Sequence, residues 1–216
     1  MTEKANLLAL DAASPEPAVV VLARGELFEE RLSADRRASE ELLPAIRRAL
    51  DRAGLTLSDL SRVAACAGPG SFTGLRVGLA TAWGLATGAG LPMESVGTLE
   101  AMAEAARDSG APRVWTALDA GRGEIVLQGF DLSGPRAEAL GPPRRGPAAI
   151  ARGIPAGEPV FPLPSDLPGL PAERLFASPA RALALACARQ PRASDERGPR
   201  PIYSRASAAE EKRGAA

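Results

Sequence analysis

Apolar residues near the start of the chain fall in short runs that are typical of β-strands. The runs cover residues 6–11, 18–23 and 26–32, and turn-forming residues separate them at 14–17 and 24–25. Because these connections are short, neighbouring strands have to run in opposite directions. The pattern therefore predicts an antiparallel meander of three strands.

A helical spacing of apolar residues replaces the strand pattern from about residue 39. Ser39 is the predicted N-cap, and Glu40 and Glu41 suit the positive end of the helix dipole. Gly54 ends the helix, and Pro44 either kinks it or moves its start to a later residue. The predicted apolar stripe consists of Leu42, Leu43, Ile46, Ala49, Leu50 and Ala53.

Strands and helices then alternate along the chain. A short buried strand over 62–67 leads through a glycine-rich turn at 68–74 into a helix that continues to about residue 87. A further strand covers 93–96 and a further helix covers 98–109. The order of three strands, helix, strand, helix, strand and helix predicts an α/β fold with a mixed sheet and flanking helices.

The second half of the chain begins with another predicted strand pair, residues 113–119 and 124–131. This pair echoes the hairpin at the start of the chain, so a duplicated plan is one interpretation. Proline and glycine crowd residues 134–171, and we predict that this stretch is mostly irregular. A last helix is predicted over 174–188, with Pro179 as a residue that delays its start.

Charged side chains are balanced, with 26 basic and 26 acidic residues and a sequence pI near 6.4. Domains that bind nucleic acid unaided are strongly basic, so we expect any contact of this chain with RNA to be shared or indirect. The chain contains no histidine. This composition excludes a Ser-His-Asp triad, HExxH zinc chemistry and histidine-ligated iron within the chain.

Cysteine use and hydropathy lead to two further expectations. Cys66 and Cys187 lie far apart and form no CxxC pair, which predicts reduced, partly buried thiols rather than a disulfide framework or a zinc site. No apolar run approaches the ~20 residues that span a bilayer, and residues 1–4 lack the basic-then-apolar pattern of a signal peptide. We therefore expect a cytoplasmic protein without a membrane segment.

The glycine-rich turn at 68–74 lies between a strand and a helix, where backbone amides and the helix dipole favour an anion. The specific phosphate-binding motifs nevertheless do not match. A Walker A loop that starts at Gly68 needs glycine and then lysine where Thr73 and Gly74 stand, and a GxGxxG fingerprint meets Thr73 in place of its last glycine. The residue types alone leave both a phosphate site and a purely structural turn open.

Small residues recur on one face of the helix that follows this turn. Gly74, Gly78 and Ala82 are four positions apart, and the larger side chains line another face. A face without side chains lets a second helix approach closely. Packing within the same chain and contact with another subunit are both compatible with this pattern.

Residues 67–78, with the sequence AGPGSFTGLRVG, closely resemble the signature segment of the TsaB family. The resemblance extends over nearly the whole chain and does not depend on one motif. Further matching segments are 8–11 (LALD), 39–44 (SEELLP), 96–99 (VGTL), 117–120 (ALDA), 123–125 (GEI) and 201–205 (PIYSR). By this resemblance the chain is identified as a member of the family.

The resemblance implies an actin-like, ribonuclease-H-like fold of two related halves, residues 1–110 and 111–216, with the second half reduced. It also implies a non-catalytic subunit that supports TsaD in threonylcarbamoyl transfer to an adenosine of tRNA. The ATPase TsaE then joins through the complex, and contact with tRNA is indirect. No metal or cofactor is expected in this chain, because in the family TsaD carries the metal-binding histidines.

In the family, helices of the first half contact TsaD and also form a homodimer. Three positions depart from the family pattern: Ala38 replaces a histidine, Ala12 a threonine and Val126 a tyrosine. These departures weaken the case for a residual nucleotide site and leave the helical interface untouched. The residues implied for the partner interface are Leu42, Ile46, Leu50, Phe72, Gly74, Leu75, Gly78 and Ala82.

The main alternative is an ATP-dependent small-molecule kinase of the actin-like fold. Asp11 and Asp119 would then flank a metal ion, and the turn at Gly68 would approach phosphate. Aspartate is also common where a strand turns, and no general base is evident beside these two residues. The candidates for a vestigial nucleotide site are Asp11, Gly68, Gly70, Ser71 and Asp119.

Overall fold

The predicted meander opens the first sheet in a computed structural model of the protein. Its strands are β1 (Leu7–Asp11), β2 (Ala18–Ala23) and β3 (Glu26–Arg31), and β2 pairs antiparallel with both neighbours. Between β2 and β3, Arg24 and Gly25 have positive φ angles of 53° and 91°, as a tight hairpin turn requires. The structure describes residues 6–33, 37–164, 166–170, 178–189, 191, 194 and 198–203.

Helix α1 (Ala38–Ala53) packs against β2 and β3. The predicted cap is wrong, because the N-cap is Arg37, without a side-chain cap bond, and Ser39 lies inside the first turn. Pro44 lies within the helix, which continues until Gly54 adopts a left-handed φ of 65°. The end of the helix is therefore where the glycine predicts it, whereas the helix starts one residue before the predicted cap.

Strands β4 (Arg62–Cys66) and β5 (Met93–Val96) complete the first sheet. Helix α2 (Phe72–Ala89) connects them, and α3 (Thr98–Ala105) follows and is extended by a 3-10 turn, Ala106–Ser109. The strand order is β3-β2-β1-β4-β5, with β4 parallel to β1 and β5 parallel to β4. A meander followed by two parallel crossovers is the order of the ribonuclease-H-like, actin-like fold, so the predicted fold class is confirmed.

The second sheet repeats part of this plan. Its strands are β6 (Arg113–Gly121), β7 (Glu124–Asp131), β8 (Glu138–Ala139), β9 (Arg144–Pro147) and β10 (Val160–Leu163). β6 and β7 form the predicted hairpin, and β10 lies parallel to β6 as β4 lies parallel to β1. The second half is thus a reduced version of the first, with fewer helices among the described residues.

The stretch 134–171 is mostly irregular among its described residues, as predicted, but it also contains three short strands, β8, β9 and β10, that were not predicted. β10 has the sequence VFPL, and Pro162 argues against a strand because proline lacks an amide donor. The sheet order β10-β6-β7-β8 places β10 at an edge. An edge strand tolerates the missing donor, because only one side of the strand is paired.

Helix α4 (Pro179–Arg189) returns to the first sheet and packs on β1, β2 and β4. The helix was predicted over 174–188 and starts at Pro179, the residue that was expected to delay it. Residues 174–177 lie outside the described residues. Alternate side chains of β1 point to opposite faces of the sheet. One face joins α1 and α2 in an apolar cluster, and the other face joins α4.

By its packing, α4 belongs with the first sheet although it follows residue 111 in sequence. The division of the chain into halves at 1–110 and 111–216 stays a prediction. Among the helices of the described ranges, none is both long and apolar enough to cross a membrane.

Candidate functional site

The glycine-rich turn between β4 and α2 uses its backbone amides within the chain. Gly68 has a φ of 103°, in the left-handed region, and precedes Pro69 through a cis peptide bond. The amide of Ser71 donates to the carbonyl of Ala13 at 2.8 Å, and the amide of Gly74 donates to Ser71 Oγ at 3.3 Å. Two amides that could cradle a phosphate are therefore already bonded.

Ile202 lies against the other side of this turn. The amide of Ile202 donates to the carbonyl of Ala67 at 2.6 Å. A Cβ placed on Gly68 would lie 2.3 Å from the carbonyl oxygen of Ile202, closer than any real contact. Glycine at position 68 thus permits the backbone of Ile202 to lie on the turn, in addition to permitting the positive φ.

Glycines of the turn and of α2 allow the connection between β1 and β2 to lie against the start of the helix. A Cβ on Gly70 would lie 2.5 Å from the carbonyl oxygen of Ala13, and one on Gly74 would lie 2.1 Å from that of Ala12. A Cβ on Gly78 would lie 3.1 Å from the Cβ of Ala12. Of the two explanations for the small residues, packing within the same chain is therefore the one that the structure bears out.

Most of the residues that were predicted for the partner interface lie inside the lone chain, and their role in an interface stays a prediction. Seven of the eight are buried in this chain, whereas Phe72 is 37% exposed. Leu43, which the sequence pattern places in the buried stripe of α1, is 55% exposed. That the helices of the first half meet a partner stays a prediction. The buried residues of the predicted interface are Leu42, Ile46, Leu50, Gly74, Leu75, Gly78 and Ala82.

A different face of α2 is exposed, and we call it the outer face. Its exposed residues, three or four positions apart, are Thr73, Arg76, Ala80, Gly84 and Thr87. Arg76 is the one charged residue among the 18 of the helix. Exposed helix faces are ordinarily rich in charge, as α1 illustrates with its exposed arginines and Asp51. The sequence already shows that charged residues are nearly absent from these positions. The glycine spacing, however, indicated the opposite face of α2 as the contact surface.

A cleft of about 520 Å³ lies between the connection β1–β2, the start of α2 and the end of β6. Among the predicted nucleotide-site residues, Gly70, Ser71 and Asp119 line this cleft, whereas Asp11 and Gly68 do not. The carboxylate of Asp119 accepts the amide of Gly121 at 2.8 Å. The structure therefore brings together three of the five residues predicted for the nucleotide site. The carboxylate of Asp119 is bonded within a local turn.

Asp11 lies at the end of β1 and is fully buried. Its Oδ1 accepts the amides of Ala13 and Ser14, each at 3.1 Å, which shapes the start of the connection to β2. Burial raises the pKa of the Asp11 carboxyl group, and the hydrogen bonds from Ser14 and Ala13 oppose that increase. Asp11 therefore supports the backbone of the turn rather than presenting a carboxylate to the cleft.

We expect Asp11→Asn to raise the free energy of unfolding at neutral pH by about 1 kcal/mol, because the amide oxygen keeps the turn bonds without a buried charge. Since the folded-state pKa is raised, the protonated carboxyl stabilises the fold at low pH, and this contribution is lost as the pH rises through that pKa. The advantage of the variant should grow accordingly between about pH 4 and pH 7 in urea titrations. The control is Asp119→Asn on the surface, and an advantage that does not depend on pH would contradict the explanation.

Several known proteins are similar to this chain in sequence. The family model described as "TsaD: tRNA N6-adenosine threonylcarbamoyltransferase" matches residues 32–154. The Escherichia coli (strain K12) protein named "tRNA threonylcarbamoyladenosine biosynthesis protein TsaB" is 40% identical over 121 residues, 56% of this chain and 52% of that protein. An uncharacterized protein of Mycobacterium tuberculosis is 35% identical over 173 residues, 77% of this chain and 80% of that protein. The chain spans about half the length of the first two TsaB proteins that it matches.

Two solved structures resemble most of the chain. YeaZ from Pseudomonas aeruginosa superimposes with a TM-score of 0.73 and 28% sequence identity, covering 92% of this chain and 99% of that one. Another structure from the same organism, described as an uncharacterized protein with similarity to peptidase YeaZ, has a TM-score of 0.75 and 28% identity and covers 93% of this chain. The similarity therefore includes both sheets and is not confined to the segment around the glycine-rich turn.

Proposed function

This chain belongs to the TsaB family, and from that premise we propose that it takes part in the biosynthesis of threonylcarbamoyladenosine on tRNA. Its proposed role is that of a non-catalytic subunit that binds and supports a TsaD-type threonylcarbamoyltransferase. The observation that carries this proposal is the outer face of α2, an exposed helix surface with small side chains and almost no charge. A partner helix can approach such a face closely and bury it at little desolvation cost.

The glycine-rich turn at 68–74, whose amides at Ser71 and Gly74 are bonded within the chain, supports the non-catalytic role and argues against the kinase alternative. A kinase of this fold would need free backbone amides at Gly68 to Gly74 and a carboxylate directed at a metal ion. The amides of Ser71 and Gly74 are bonded within the chain, and Asp11 is buried. The chain also has no histidine to act as a base or to hold a metal. The chemistry is therefore assigned to the partner subunit.

The remaining partners follow from this role. A TsaE-type ATPase would join through the complex, and a second copy of this chain could compete with the transferase for the outer face of α2. The balanced charge of the chain supports indirect rather than independent contact with tRNA. We also propose that this reaction, which modifies tRNA, takes place in the cytoplasm.

Ala80→Arg tests the proposed surface. Ala80 is exposed in the middle of the outer face, so an arginine there should not disturb the fold but should block close approach of a partner helix. We expect the unmodified chain to bind purified TsaD in calorimetric titrations and the variant to bind at least about tenfold more weakly. The melting temperature of the lone chain should not change.

The matched control is Ala149→Arg, the same change at an exposed alanine of the second half. It should bind TsaD as the unmodified chain does. In a reconstituted reaction, the chain should be inactive alone and should be required alongside TsaD. Transfer activity of the chain without TsaD, or failure of the unmodified chain to bind TsaD, would overturn the proposal.

A further inference from the structure

Among the described residues, no residue of an α-helix joins the apolar cluster on one face of the second sheet. Helix α3 packs on the opposite face. The 3-10 helix Ala148–Gly153 lies against β7 and β9 and covers part of the first face. Leu140, which follows β8 at the edge of the sheet, lies outside that cluster and is 45% exposed. An exposed apolar side chain on an incompletely covered sheet face is a candidate for contact with another molecule.

Trp115 extends the apolar surface beside Leu140. β6 places Trp115 opposite Gly129 of β7, and the amide of Leu140 donates to the carbonyl of Gly129 at 2.9 Å. The two side chains therefore flank a glycine on the same face of the sheet. A Cβ on Gly129 would lie 2.9 Å from the indole ring, so the ring lies directly on the glycine. The indole Nε1 donates to Glu158 at 2.6 Å, which fixes the orientation of the ring.

Charged side chains of opposite sign lie at the two ends of this apolar surface. Glu138 is opposite Asp131 of β7, and Arg144 is opposite Leu127 of the same strand. Both charged residues are exposed, and their register places them on the same face as Trp115. Since Leu127 and Asp131 are four positions apart, the two charges are attached about 13 Å apart along the sheet. The guanidinium of Arg144 lies 5.5 Å from the ring centroid of Trp115.

We propose that Glu138, Leu140, Trp115 and Arg144 form an interface between two copies of this chain, and we call these four residues the edge patch. A two-fold axis that crosses the strands at Leu140 reverses the direction of β7. It therefore brings Glu138 of each copy opposite Arg144 of the other. The apolar centres then meet, and two ion pairs flank them. The edge patch is complementary to itself in this arrangement, because it carries an acid at one end and a base at the other.

A second copy fits the edge patch better than a partner of one predominant charge does. RNA favours surfaces with several basic residues, whereas the edge patch has one charge of each sign. Arg113, which lies nearby, is 3.4 Å from Asp131. A strongly acidic or basic protein would be attracted by one end of the edge patch and repelled by the other. Because the surface is small, we expect a weak dimer with a dissociation constant of about 10–100 µM.

This inference does not rest on the proposed function. The edge patch belongs to the second sheet, whereas the transferase is proposed to bind the outer face of α2. The two contacts use different residues, so each can be tested without the other.

Sedimentation velocity of the full chain alone, at concentrations on both sides of the expected dissociation constant, tests the edge patch by charge reversal. The unmodified chain should dimerise. Glu138→Arg and Arg144→Glu should each weaken self-association at least about tenfold, because each places like charges opposite one another at two symmetric points. An equimolar mixture of the two variants should associate about as tightly as the unmodified chain. In the mixed dimer every arginine at these positions faces a glutamate.

Two control variants change charge elsewhere. Glu26→Arg makes the same reversal at an exposed glutamate of the first sheet, and Ala80→Arg blocks the outer face of α2. Both should dimerise as the unmodified chain does. Melting temperatures of all variants, measured below the dissociation constant, should stay close to that of the unmodified chain.

The outcomes separate this inference from the proposed function. An unmodified chain that stays monomeric, or a mixture of the two patch variants that does not associate, overturns the inference. If Ala80→Arg abolishes the dimer and the patch variants do not, the copies meet through α2 and the inference is wrong. The patch variants should bind TsaD as the unmodified chain does. Weaker TsaD binding by both of them, with a monomeric unmodified chain, would assign the edge patch to the transferase and leave the proposed function standing.

Discussion

Gly74→Ala is expected to lower the free energy of unfolding of the lone chain by about 3 kcal/mol, although alanine is the better helix former. The added Cβ would lie 2.1 Å from the carbonyl oxygen of Ala12, which is backbone and cannot rotate away. Either α2 or the connection β1–β2 must move, and such a movement also strains the hydrogen bond from Ser71 to Ala13. Urea titration followed by circular dichroism measures the change as a lower midpoint at constant slope.

Gly84→Ala in the same helix is the matched control. Nothing lies within 4 Å of a Cβ at Gly84, so only the helix propensity applies, and the variant should be more stable by about 0.5–1 kcal/mol. The two substitutions are identical in chemistry and opposite in expected sign. Equal effects at both positions would mean that the contact between Gly74 and Ala12 does not govern the packing of α2.

Elements that are bounded by turn residues could be predicted closely from the sequence. β2, β5 and β7 begin and end at the predicted residues, because proline, glycine or charged turns flank each run. β10 could not be predicted in the same way. It is short, contains Pro162, and becomes a strand only because β6 offers a parallel edge to pair with. That partner lies more than forty positions earlier in the chain, and local patterns carry no information about it.

Helix α2 shows the same limit of prediction from sequence within a single element. Small residues recur every four positions on two sides of α2, at Gly74 and Gly78 on one side and at Ala80 and Gly84 on the other. Helical periodicity identifies both stripes and does not say which one faces the chain itself. The contact of Ala12 with the first stripe is long-range, so the exposed stripe could be recognised only in the folded chain.

Glu94→Gln is expected to lower the free energy of unfolding by about 3–5 kcal/mol, because it leaves a buried guanidinium without its carboxylate. The side chain of Glu94 is 1% exposed, and its Oε1 lies 2.6 Å from Arg136, whose side chain is 8% exposed. Arg62 lies 3.6 Å from the other carboxylate oxygen. Glu94 belongs to β5, whereas Arg136 follows β7, so the pair joins the first sheet to the second half of the chain.

The double variant Glu94→Gln with Arg136→Met should recover much of the lost stability, since it removes the unpaired charge and leaves an apolar side chain in its place. Asp51→Asn is the surface control. It breaks the exposed pair with Arg47 on α1 and should cost about 0.5 kcal/mol or less. Urea titrations of the three variants measure their free energies of unfolding and so test this expectation. A double variant that is as unstable as Glu94→Gln alone would show that the glutamate supports β5 by itself and does not act through the pair that joins the two halves.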